Sequence, residues 1–388
     1  MTAPTPPSES PPALALVLGG GGARAAYEVG VLSAIAERVP TLQVPILTGV
    51  SAGAINATYL ATHPGPFPAA VAALRAQWSE LVADRVYRVR PGKVTRAVVR
   101  ALAQTLVGRR RAPGLVRGVV DLEPLREFLG ARLDFASLAP RIATGHLRAV
   151  ALSATSYATG DTVTFVEGRP DIPMWRRTQR YGVQARLSLE HLMASCALPI
   201  LFPAVRIGDA FYGDGSVRHG APLAPAIHLG ARALLAITQH TGPTATPPAP
   251  HDYPTLAEVT ALLFHTIFLD ALEADVERLE RINRLIALNA QAAPNTDGLR
   301  PIQLLLLRPS RNLGDLARGL ERSLPTAVRA VVRLMGGEWA TAADFLSYLL
   351  FDPRYTAALI ELGYTDAIAG WGPIERFLAT LVGSGGTP

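Results

Sequence analysis

Five apolar residues, Leu14 to Leu18, run directly into four consecutive glycines and an arginine, and a helix-like pattern follows: LALVLGGGGARAAYEVGVL. A strand that dissolves into bare glycines just before a helix presents backbone N–H groups to something negative, with no side chains in the way. The helix, Ala25 to Arg38, would carry Val29, Leu32 and Ile35 inward. A second apolar run, VPILTGV from Val44 to Val50, leads again into a small-residue, helix-prone stretch, AINATYLATH. Strand, helix, strand, helix in that order calls for a mainly parallel sheet covered by helices on both faces. LRAVALSATSY (Leu147 to Tyr157), ALLAITQH (Ala233 to His240) and the shorter TVTFVEG supply further strands, and PIQLLLL (Pro301 to Leu307) can return as one more. A proline-rich loop, Thr241 to Pro254, precedes a long periodic helix from Leu256 to about Ala290, and the residues after Asn312 read as helical.

Composition narrows the class. Of 388 residues, 49% are hydrophobic and 18% charged, which describes a globular chain. No apolar stretch reaches the ~18 residues needed to span a bilayer, so no transmembrane helix is expected. Residues 1–12, MTAPTPPSESPP, read as a disordered tail and not a secretory signal. The single cysteine, Cys196, excludes an intrachain disulfide and points to the cytoplasm. The net charge of +6 is unevenly spread: ten basic residues and no acidic one lie between Arg85 and Arg117. Within that run Val94, Val98, Leu102 and Leu106 would share one helical face, with Lys93, Arg96 and Arg100 opposite and Arg109 to Arg111 at the end. A solvated surface helix is one reading and peripheral docking on anionic membrane headgroups the other. Nucleic acid is not expected, since the stretch from Lys93 to Arg111 has no aromatic residues for base stacking.

TGVSAG, Thr48 to Gly53, carries the chemistry. Gly49, Val50, Ser51, Ala52 and Gly53 form G-x-S-x-G between an apolar strand and a helix start, the setting of a nucleophile elbow. A serine needs a base. His240, His251 and His265 would serve a histidine-dependent α/β-hydrolase esterase, but that fold puts several strands before its nucleophile, and only one convincing strand precedes Val44. Asp214, held between Gly213 and Gly215 in YGDGS, is the other candidate base, unless it only turns a hairpin. The first loop also fits a dinucleotide-binding protein, with Gly20, Gly22 and Ala25 as G-x-G-x-x-A. That reading wants an acid at the end of the second strand, where ILTGVS stands instead.

Four blocks, GGGGARAAYEVGVL, GVSAG, ASCALPILFPAV (Ala194 to Val205) and YGDGS, occur in the order found in patatin-like phospholipases, which the chain resembles from about Leu14 to His240. The resemblance implies a three-layer α/β/α fold and a lipid acyl hydrolase using a Ser–Asp dyad, with no cofactor and no metal. Ser51 would be the nucleophile and Asp214 the base, Gly20, Gly21 and Gly22 with Arg24 the oxyanion hole, and Gly49 and Gly53 the elbow glycines. The implied partner is a phospholipid, lysophospholipid or other acyl-ester lipid, met in the cytoplasm or at the membrane periphery. The implied organisation is a catalytic domain over 13–240 and a mainly helical C-terminal extension over 241–388 packed on it. Two departures stand out: Ala25 where the loop usually has glycine, and Ser216 where glycine or alanine commonly follows Asp-Gly.

Overall fold

The computed structural model describes residues 13–89, 120–199, 201–242, 270–289, 299–326, 329 and 346–382. The N-terminal tail, all of the expected basic helix (93–111) and the first part of the long helix expected from Leu256 lie outside the described residues.

The chain opens with β1 (Leu14–Leu18), α1 (Ala26–Arg38), β2 (Ile46–Val50), α2 (Ala52–Thr62), α3 (Phe67–Glu80) and the short α4 (Ala83–Val86). A two-stranded antiparallel pair, β3 (Arg88–Val89) and β4 (Val120–Asp121), is followed by α5 (Glu123–Gly130) and α6 (Leu138–Ala143). Next come β5 (Ala149–Ser156), β6 (Thr162–Gly168), β7 (Arg176–Arg177), β8 (Arg180–Gln184), α7 (Leu189–Ser195), β9 (Val205–Ile207) and β10 (Ala210–Asp214). The rest is α8 (Ala224–His228), β11 (Ala233–Ile237), α9 (Asp270–Asn289), β12 (Gln303–Leu307), α10 (Pro353–Ala369) and α11 (Trp371–Val382).

The main sheet runs β12-β11-β1-β2-β5-β6-β8-β7. The pairings from β12 through to β5 are parallel, as the alternation of strands and helices requires. Alternate residues of β1 go to opposite faces: Leu14, Leu16 and Leu18 join α1, α2, α3 and α10, while Ala15 and Val17 join α8 and α9. Both faces are therefore covered, which gives three layers. It also explains why β1, β2, β5 and β11 read as unbroken apolar runs instead of alternating ones. PIQLLLL does return to this sheet as β12, beside β11.

One interruption matters for function. On one flank β5 pairs with β6 over residues 149–155. On its other flank it pairs with β2 as far as Val50↔Ser153, and then with β10 from Asp214↔Ala154 onward. β2 runs parallel to β5 and β10 antiparallel, so two strands point end to end along one neighbour. Their tips are Val50, followed by Ser51, and Asp214.

Candidate active site

Ser51 takes φ 53° and ψ −128°, one of two non-glycine residues with positive φ among the described residues. Such a conformation costs on the order of 1–3 kcal/mol and survives only where its surroundings hold it. Its N–H donates to Ser195 Oγ at 3.0 Å, and its carbonyl accepts from Cys196 Sγ at 3.2 Å and from Ala54 N–H at 2.9 Å. α2 begins at the next residue, so the positive end of its dipole lies at the serine. A Cβ on Gly53 would stand 2.4 Å from Gly19 O and 2.5 Å from Leu18 O, so the elbow helix rests on the end of β1 because Gly53 has no side chain. Gly49 faces the same turn, where a Cβ would come within 2.6 Å of Ala54 Cα.

Asp214 is fully buried at the tip of β10. It is not a hairpin turn: its N–H donates to Ala197 O at 2.8 Å, its carbonyl accepts from Thr155 Oγ1 at 2.8 Å, and Oδ1 caps the next turn by accepting Ser216 N–H at 2.8 Å. Oδ2 is buried and accepts no hydrogen bond among the described residues. Burial pushes the carboxyl up to about 6, against the lowering influence of the Ser51 hydroxyl, the Ser216 amide and the Ser216 side chain. The Ser51 hydroxyl thus acts on the carboxylate while standing short of a formed hydrogen bond. Among the described residues no histidine hydrogen-bonds to either group. His219 is half-buried, with Nε2 shielded from solvent, and is pushed down to about 4 by desolvation and Arg180, and His240 spends Nδ1 on Gly242 N–H at 3.0 Å. His251 and His265 lie outside the described residues.

The glycine loop turns at Gly22, which has φ 55° and whose absent Cβ would stand 2.1 Å from Tyr348 O. Three amides are taken: Gly19 by Glu28 Oε1 at 3.0 Å, Ala23 by Tyr348 O at 3.0 Å, and Arg24 by Gly21 O at 3.1 Å. Those of Gly20, Gly21 and Gly22 lie between them, with no hydrogen-bond acceptor among the described residues. The Arg24 side chain is buried; Nε donates to Ser347 Oγ at 2.7 Å, one terminal nitrogen to Tyr348 OH at 3.2 Å, and the guanidinium stacks 4.1 Å over the Tyr348 ring. Its visible work is to anchor the loop to residues 347–348.

Glu28, unremarked in the sequence, is fully buried beneath the loop. Oε1 also accepts from Gln239 Nε2 at 3.3 Å and Oε2 from Asn56 Nδ2 at 2.8 Å, while Asn56 Oδ1 accepts Trp78 Nε1–H at 2.7 Å. One acid thus joins the loop, the elbow helix α2 and the end of β11, and burial pushes it up to about 8. Gly21 packs on the same Gln239, so a Cβ there would fall 1.4 Å from Gln239 Oε1. A cavity of about 30 Å³, bounded by Gly19, Gly20, Ser153, Ser216, His219 and Gln239, lies beside these groups. Two far larger clefts, about 710 and 870 Å³, open at the opposite end of the parallel strands. Among the described residues no three His, Cys, Asp or Glu side chains are grouped to hold a metal, and no helix is long and apolar enough to cross a membrane.

The sequence model of one family, described as patatin-like phospholipase, matches residues 16–227, just over half of the chain. The chain therefore belongs to the patatin-like phospholipase family, a class of lipid acyl hydrolases. Solved structures with a similar fold include human GIVD cytosolic phospholipase A2, at 12% identity and TM-score 0.47, covering 96% of this chain and 60% of that one. The same human protein in complex with methyl gamma-linolenyl fluorophosphonate matches at 12% identity and TM-score 0.46, covering 96% and 59%. VipD from Legionella pneumophila matches at 13% identity and TM-score 0.33, covering 84% of this chain and 67% of that chain. The chain thus spans about 60% of the length of the human phospholipase chains. No curated protein sequence matches it.

Proposed function

We propose that this protein hydrolyses fatty-acyl esters of phospholipids or lysophospholipids through a Ser51–Asp214 dyad and an acyl-enzyme. The observation that carries the reading is the meeting of β2 and β10 on one flank of β5, which brings the elbow serine to a buried carboxylate. Ser51 Oγ attacks the ester carbonyl carbon and passes its proton to Asp214. The carbonyl oxygen becomes an oxyanion facing the amides of Gly20, Gly21 and Gly22, each well-placed donor contributing about 3–4 kcal/mol. Collapse breaks the ester C–O bond, and the leaving alkoxide takes the proton from Asp214. Water then attacks the acyl-enzyme and gives a proton to Asp214; collapse expels Ser51, which recovers that proton, and frees the fatty acid. A carboxyl titrating near 6 is ionised at neutral pH yet more basic than an ordinary aspartate, which suits a general base.

The lipid class is tested by incubating the protein with phosphatidylcholine and lysophosphatidylcholine vesicles and profiling the products. Free fatty acid is expected from wild type and none from Ser51→Ala. An enzyme that cleaves aryl esters but releases no fatty acid from either lipid would refute the substrate assignment. For access to bilayers we propose the basic run, from its sequence alone. Replacing Arg96, Arg100 and Arg109 to Arg111 with glutamine should reduce co-sedimentation with anionic vesicles and leave aryl-ester turnover near wild type. Equal sedimentation at low salt would contradict it.

A further inference from the structure

We propose that the three residues Ser195, Cys196 and Ala197 are the positioning bracket of the active site, fixing nucleophile and base against each other; this rests on the Ser51–Asp214 reading. Where β2 and β10 both end, the flank of β5 is broken, and its backbone groups need partners from outside the sheet. The end of α7 supplies them. Ser195 Oγ accepts the Ser51 N–H at 3.0 Å and donates to Ser153 O at 2.7 Å. Cys196 Sγ donates to Ser51 O at 3.2 Å, and Ala197 O accepts the Asp214 N–H at 2.8 Å.

A serine in the last turn of a helix ordinarily bonds back to a carbonyl of its own helix. Ser195 instead reaches two other segments, and it is completely buried while doing so. Both peptide groups of the strained nucleophile and the amide of the base are therefore referred to one short stretch of backbone. This gives a role to ASCALPILFPAV, the block that contributes neither nucleophile nor base. A small shift of that stretch would turn Ser51 Oγ away from Asp214 without unmaking the fold, and misplacement of this kind costs turnover far more than binding.

The test compares Ser195→Ala with Met193→Ala, which opens a cavity in the same helix from a buried side chain that makes no hydrogen bond to the dyad. With a soluble aryl ester, Ser195→Ala is expected to lower kcat about 50-fold with KM within about twofold, and to slow fluorophosphonate labelling of Ser51 in parallel. Met193→Ala should lose more thermal stability and keep kcat within about twofold. Wild-type kcat and labelling in folded Ser195→Ala would overturn the bracket, as would loss of activity that follows stability alike in both variants. If Ser195→Ala does not fold, Cys196→Ser and Cys196→Ala serve: a hydroxyl donor in place of the thiol should keep most of kcat and loss of any donor should cost about fivefold, whereas equal kcat in the two would overturn the proposal. Ser51→Ala is run alongside: activity there defeats the dyad itself, while an inactive Ser51→Ala beside a fully active Ser195→Ala defeats only the bracket.

Discussion

The two ends of the parallel strands differ sharply. Where β1 and β2 begin, two wide clefts of about 710 and 870 Å³ open, bounded by Thr41, Leu42 and Gln43 with neighbours from 64–70, 140–147 and 371–381. Where they end, the adjoining cavity is only about 30 Å³, yet there lie a serine at positive φ and two fully buried carboxyls pushed up to about 6 and 8. Backbone strain and buried carboxyls cost stability and cluster at functional sites, whereas a wide cleft can be left over from loop packing. We therefore propose the narrow end as the seat of the chemistry.

The sharpest contrast comes from the dyad. Ser51→Ala and Asp214→Asn should each lower kcat by about 10³-fold or more on an aryl ester, with KM little changed, because the two groups act as a unit. Gly21→Val should cost about 10²-fold through the lost oxyanion donors. Because its Cβ would drive into buried Gln239, it should lower the melting temperature as well, so glycine here serves packing as much as donor exposure. Glu28→Gln keeps the shape but replaces one acceptor with a donor opposite Asn56 or Gly19, and should cost about tenfold in kcat. The smallest effect tests the other end: Gln43→Trp, an exposed site bordering both large clefts, should leave kcat/KM within about twofold. A large fall there would move the substrate to that end and break the comparison.

The same contrast has a pH signature. Asp214 must be ionised to accept the serine proton, so kcat/KM should rise with pH and level off above an apparent pKa near 6. The folded pKa is raised from 3.8, so the fold favours the protonated acid. That favour is complete below about pH 4, fades as pH rises to 6, and is absent above it, a loss of about 3 kcal/mol. Asp214→Asn should therefore match wild type in melting temperature near pH 4 and exceed it at pH 8. A variant less stable than wild type at pH 8 would mean the carboxylate is not strained by burial.

Most of the sheet was legible in the sequence because buried parallel strands are continuous apolar runs; Leu14–Leu18 is found with the expected bounds, and Val44 to Val50 becomes Ile46–Val50. Arg176–Arg177 was not legible as a strand because it is only two exposed arginines, and Arg180–Gln184 because Tyr181 and Val183, split by Gly182, are too few apolar residues to make a run. Ser51 and Asp214 could be singled out because glycines flank both. Their supports could not: Glu28 looks like any surface glutamate of a helix, and only the tertiary fold sets Gln239 and Asn56 around it. The residues after Asn312 offered no chemistry of their own, yet Ser347 and Tyr348 hold Arg24 and the glycine loop, an arrangement across more than 300 positions that no local pattern encodes.

The most direct test of the Ser51–Asp214 account is covalent. The protein would be treated with a fluorophosphonate bearing a long acyl-like chain, digested, and its adduct located by peptide mass spectrometry, with labelling rates compared for wild type, Asp214→Asn and Ser51→Ala. A single adduct on Ser51 is expected in wild type, forming at least 100-fold more slowly in Asp214→Asn and not at all in Ser51→Ala. An adduct on any other residue, or undiminished labelling of Ser51→Ala, would contradict it.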